Sequence, residues 1–121
     1  MRWLMLGLAL VFLPTAASAK YVQTVKVRYA TDDGASPWYS VDVTFLTGTE
    51  LNRATRTFNY GGFDKYAVIF WDQNEASVIK LDGFFACGTE FTQSCLRTIG
   101  NMDGTDQEGR GWEICAHSLC L

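Results

Sequence analysis

Tyr21-Val22-Gln23-Thr24-Val25-Lys26-Val27-Arg28-Tyr29 decides the fold class of this 121-residue chain. Its side chains alternate. Tyr21, Val25, Val27 and Tyr29 fall on one face, and Val22, Thr24, Lys26 and Arg28 on the other. Period two is the signature of a strand buried on one side. After the turn formers Thr31-Asp32-Asp33-Gly34-Ala35-Ser36-Pro37, the pattern returns from Trp38 to Leu46. There Tyr39, Val41, Val43 and Phe45 oppose Trp38, Ser40, Asp42 and Thr44.

Working toward the C-terminus, Thr47 with Glu50 three residues on fits a capping box, and Leu51, Ala54, Thr55 and Phe58 share a helical face. One short helix near 48–58 is therefore expected, with a strand as the competing reading. Asn59-Tyr60-Gly61-Gly62 reads as a loop. Tyr66 to Trp71 is apolar on both faces, as expected of a central strand or one beneath a covering segment. Asp72-Gln73-Asn74-Glu75 reads as a turn leading into the partner strand Ala76 to Leu81. Leu96 to Ile99 and Gly111 to Ala116 read as two more strands joined by a long polar loop from Gly100 to Gly109. The sum is a mainly β domain: a small sandwich or partly open barrel of about five to seven antiparallel strands.

Working toward the N-terminus, residues 1–19 (MRWLMLGLALVFLPTAASA) place one cation, Arg2, before an apolar run. Small residues follow, ending Ala17-Ser18-Ala19. This is the layout of a cleaved secretory signal peptide, leaving residues 20–121 as a single β-rich domain. The run from Trp3 to Leu13 falls short of the roughly 20 residues that span a bilayer. The expected location is outside the cytoplasm, periplasmic or extracellular, in a bacterium.

That location governs the cysteines. Cys87, Cys95, Cys115 and Cys120 read as two disulfides in an oxidising compartment. Three pairings exist. Cys87 to Cys95 closes a nine-residue loop, worth about 2.6 kcal/mol in the chain-entropy model. Cys87 to Cys115 closes 29 residues, worth about 3.6. The difference does not decide between them. If Trp112, Ile114 and Ala116 face the core, Cys115 points outward. The reading leans to Cys87–Cys95 with Cys115–Cys120.

The net charge of −3 becomes −4 without Arg2, which argues against nucleic acid and anionic membrane surfaces as general partners. No stable membrane insertion is expected. His117, the single histidine, sits near the C-terminus between two cysteines, a poor place for a catalytic base. No nucleophile elbow, P-loop or zinc-protease motif occurs, and no cofactor is implied. The acids of 101–108 suggest calcium, but Asp106 and Trp112 stand where an EF-hand needs Gly and Glu.

What remains is Trp38, on the polar side of its strand beside Asp42, with Tyr60 in its glycine loop. An exposed Trp flanked by polar residues can stack on a sugar ring or anchor a protein contact. The sequence thus points to a non-enzymatic binding module or inhibitor for a protein or glycan of the envelope or extracellular space. A carboxylate-dependent hydrolase centred on Asp42 and a structural subunit using a free strand edge are the alternatives.

Overall fold

A computed structural model describes residues 21–71, 74–82 and 91–116. The strands are β1 (Tyr21–Thr31), β2 (Gly34–Ala35), β3 (Tyr39–Thr47), β4 (Lys65–Trp71), β5 (Glu75–Leu81), β6 (Asn101–Thr105) and β7 (Gly111–Cys115). Helices α1 (Gly48–Thr55) and α2 (Gln93–Ile99) lie between β3 and β4 and between β5 and β6. All pairings are antiparallel. The order β1-β3-β4-β5-β6-β7 closes where β7 pairs back onto β1, from Lys26↔Cys115 to Tyr29↔Trp112. The expected mainly β antiparallel barrel is realised, but closed rather than partly open, and there is no sandwich: six strands form the ring, with the short extra strand β2 beside it. Alternating strand directions meet antiparallel only for an even number, which six satisfies. Closure leaves no six-strand edge free for another chain.

A barrel this narrow has to be filled by side chains, since eight strands already leave only enough room for them. Val25 and Val27 point in from β1, and Val43 and Phe45 from β3. Ala67, Ile69, Ile79 and Ile114 join them. At the base, where β3 and β5 end, Phe91 and Leu96 complete the filling, with the Phe91 ring 5.4 Å from that of Phe45. Here the expectation of a strand at Leu96 to Ile99 fails. Thr92 caps a helix by accepting from the Cys95 amide, and Leu96 turns inward from it. Phe91 and Leu96 occupy the two hydrophobic-staple positions about that cap.

Outside the barrel a second core forms. Tyr66 and Val68 point away from the interior, where Leu46, Val78 and Leu51 of α1 cover them. The two-faced apolar strand is thus explained by a covering helix. The capping box at its start is present: the Glu50 amide donates to Thr47 Oγ1 and the Thr47 amide to Glu50 Oε1. Gly48 is required here, because a Cβ would lie 1.7 Å from the Gly61 carbonyl oxygen. The expected helical face is realised only at Leu51. The helix ends at a left-handed Arg56, and Phe58 beyond it is 98% exposed.

The expected loop from Gly100 to Gly109 is half strand. Met102 and Gly104 face inward along β6, and Gly104 leaves room for Ile79, whose Cγ2 would lie 2.6 Å from an added Cβ. The β5–β6 ladder has only two pairs, Lys80↔Thr105 and Leu81↔Gly104. Further along β5, the Gln107 carboxamide stands in for a strand: it accepts from the Val78 amide at 2.9 Å and donates to the Ala76 carbonyl at 2.8 Å. Cys115 is buried although Ile114 before it faces the interior, so outward direction does not make it exposed. Neither Cys95 nor Cys115 is a free thiol. Residues 1–19, Cys87, His117 and Cys120 lie outside the described residues. No helix among the described residues is long and apolar enough to cross a membrane.

Replacing Gln107 by Ala leaves the Val78 N–H and Ala76 C=O without these partners. The expected loss is about 1–3 kcal/mol, read from urea unfolding, with Gln107→Glu also destabilised because it cannot donate to Ala76. Unchanged stability in both would show that this bridge does not hold the seam.

Candidate functional site

The end of the barrel opposite the base, its mouth, is closed by rings. Tyr29 on β1 and Trp112 on β7 are cross-strand partners and meet edge to face with centroids 5.4 Å apart. Tyr39, the first residue of β3, stacks on Tyr29 at 6.2 Å. Trp71, the last residue of β4, stacks on Trp112 at 6.2 Å. The rings therefore run Tyr39, Tyr29, Trp112, Trp71 across the opening. Trp112 is the buried member at 7% exposure, whereas Tyr39 and Trp71 remain 41% and 36% exposed. Trp71, which closes a strand apolar on both faces, thus stands at the rim rather than in the core.

Each member is fixed by its surroundings. The Trp112 indole N–H donates to Asp106 Oδ2 at 2.8 Å, and that of Trp71 to Ser77 Oγ at 3.0 Å. Asp106 Oδ1 accepts from the Glu108 and Arg110 amides, which folds the β6–β7 turn under its own carboxylate. Both carboxylate oxygens of Asp106 are thereby engaged by N–H donors. Buried Ser36 returns the chain to β1: its amide donates to the Tyr29 carbonyl, and its hydroxyl accepts from the Tyr29 amide. A hydrogen bond with Tyr29 raises the Tyr39 phenol above its ordinary 10.0. The Arg110 guanidinium lies 4.9 Å from the Tyr29 ring centroid, beside an open depression of about 480 Å³ lined by Thr31, Asp32 and Arg110.

Trp38 stands on the outer side of the same rim. It is half-buried, and the Arg28 guanidinium lies 4.3 Å from its ring centroid while pairing with Glu113 at 2.8 Å. Asp42 shares that outward row and accepts from the Thr24 hydroxyl. Around it the outward positions hold Lys26, Ser40 and Thr44, with no second carboxylate among them. Tyr60 does not join these two. It packs edge-on against Tyr66 at 5.2 Å, and Tyr66 pairs with Leu46, eight positions or roughly 26 Å of strand from Trp38. The Asn52 carboxamide holds the Tyr60 backbone on both sides, at 2.8 and 2.9 Å. Burial raises the Tyr60 and Tyr66 phenols above their ordinary 10.0.

Tyr29, Tyr39, Trp71 and Arg110 were not assigned to a site from the sequence. The available signal was positional: Tyr29 and Tyr39 are the inward residues flanking one turn, and Trp71 is the last before another. Comparison with known proteins adds nothing to this geometry, as no family model, curated protein or solved structure matches the chain.

Because the buried phenols hold their protons more tightly when folded, the folded state binds more protons than the unfolded one above pH 10. Stability is therefore complete below pH 10 and declines as pH rises through the raised values. Tyr60→Phe is expected to flatten that alkaline decline in thermal melts. An identical slope in the variant would remove Tyr60 as a source.

Proposed function

We propose that this barrel is a binding module acting outside the cytoplasm, on a glycan or protein of the envelope or extracellular space. The observation that carries the reading is the row of four rings at the mouth. Its two ends, Tyr39 and Trp71, offer faces to solvent while their backbones belong to paired strands. Barrel mouths are a recurrent place for ligands. Flat aromatic faces beside polar groups suit the apolar side of a sugar ring or an apolar side chain of a partner. Fixing the rings in advance lowers the entropy lost on binding. Trp38 contributes at the outer rim, with Arg28 already over one side of its ring.

Export by cleavage after Ala19 and closure of all four cysteines into disulfides belong to the same proposal. The lack of a free thiol at Cys95 and Cys115 supports the second. Thiol labelling of non-reduced, denatured protein is expected to find no reactive cysteine. Modification of two or more would remove the disulfides from the reading.

The binding reading is tested with chito-oligosaccharides, peptidoglycan fragments and envelope-protein extracts immobilised in turn. Wild type is expected to be retained by one of them. Trp71→Ala and Tyr39→Ala should each weaken retention by about tenfold or more, the effect of losing one interfacial aromatic anchor. Retention of neither class, or equal retention by both variants, would sink it.

A further inference from the structure

We propose that the loop 56–64 is a membrane-docking tip, which lays Phe58 and Phe63 into the interfacial region of an anionic lipid surface. Phe58 and Phe63 are 98% and 95% exposed, the two most exposed large apolar side chains described. Their exposure is not that of a loose loop. The Asn52 carboxamide pairs with both backbone groups of Tyr60, the Thr49 hydroxyl donates to the Gly62 carbonyl, and the Gly48 amide donates to the Asp64 carbonyl. Tyr60 turns its ring onto Tyr66, so the anchored backbone spends one aromatic on packing and holds two outward.

Charge selects the partner. Between Leu51 and Phe63 the only charged residues are Arg53 and Arg56, both exposed and neither in an ion pair among the described residues. The nearest acids in sequence are engaged: Glu50 accepts from the Thr47 amide, and Asp64 pairs with Lys80 at 3.5 Å. Two apolar rings beside two unpaired cations complement acyl chains beneath anionic headgroups. Area favours a lipid surface over a protein. Two Phe rings supply about 400 Å², about half of what one side of a standard protein interface contributes. Protruding rings also need no matching pocket in a fluid apolar phase.

The net negative charge that argues against anionic membranes is unevenly placed. Asp32, Asp33, Glu75, Asp106 and Glu108 belong to the turns at the mouth, whereas the loop 56–64 leads from α1 into the start of β4, the end of that strand away from Trp71, where the Gly48 amide holds the Asp64 carbonyl. Docking through the loop turns the acidic end away from the lipid. The proposal is therefore independent of what the mouth binds.

The test is amide hydrogen exchange of the full chain, without vesicles, with phosphatidylcholine vesicles, and with vesicles carrying about 30% phosphatidylglycerol. Exchange within 56–64 is expected to slow several-fold only with the anionic vesicles. The effect should weaken at high salt and vanish in Phe58→Ser/Phe63→Ser and in Arg53→Gln/Arg56→Gln. Reading the loop itself separates this contact from any made by residues 1–19. Unchanged exchange at 56–64, equal slowing by neutral vesicles, or equal slowing in the variants would overturn the proposal. Slowing in concentrated protein alone would also overturn it, in favour of a second copy as the occupant.

Discussion

Everything in this molecule depends on the pairing of its first full strand with its last. Arg28 and Glu113 are 85 residues apart in sequence, yet they sit in register across β1 and β7 with their side chains bonded. That seam turns a meander into a ring. It also explains the length of β1: residues 21–27 serve β3, residues 26–29 serve β7, and residues 30–31 serve β2. A shorter strand would reach β3 or the closing seam, but not both. Closure makes the fold dependent on contacts distant in sequence, which form slowly relative to local ones.

Closing a sheet removes its edges and creates two ends instead. Each end needs apolar filling, and this chain fills them differently. At the base the plug is delivered from outside the ring, by Phe91 and Leu96 on the segment entering β6. At the mouth the plug comes from the strands themselves, as the final inward residues of β1, β3, β4 and β7. One carboxamide, Gln107, does the work of a missing strand neighbour beside β5, and another, Asn52, pairs the loop backbone at Tyr60 in the same way. A side-chain amide carries one donor and one acceptor in the geometry of a peptide group, so it can finish a ladder where the backbone falls short.

The first two full strands were legible because, Gln23 apart, the inward positions from Tyr21 to Tyr29 and from Tyr39 to Phe45 carry apolar or aromatic side chains while the outward ones stay mostly polar. The helix α1 was legible from Thr47 and Glu50, whose reciprocal bonds need no tertiary information. β6 was not, because its two inward positions are Met102 and Gly104: one apolar side chain cannot display a period. α2 was misread because Leu96 and Ile99 are common to strand and helix patterns, and the deciding cue was Thr92 capping behind Phe91. Barrel closure has no local signature, since it lies in a register between residues far apart. The candidate site suffers from the same limit. Trp38 stood out by its polar neighbours, but rings on inward faces read as core until closure shows that the mouth leaves two of them in solvent.

That difference shifts the weight from Trp38 to Trp71 and Tyr39. One side of the Trp38 ring already lies under Arg28, whose charge Glu113 holds in place, so a ligand there competes with an existing cation contact. Trp71 has its polar demand met by Ser77 and one face supported by Trp112. Its exposed surface is apolar ring with no ring or cation contact beyond Trp112 among the described residues. Trp112 in turn cannot swing away without releasing its bond to Asp106, the residue that folds the β6–β7 turn. The interactions that close the mouth are thus the ones that hold its exposed rings rigid. An aromatic plug at the end of a narrow barrel becomes a preorganised surface without any further machinery.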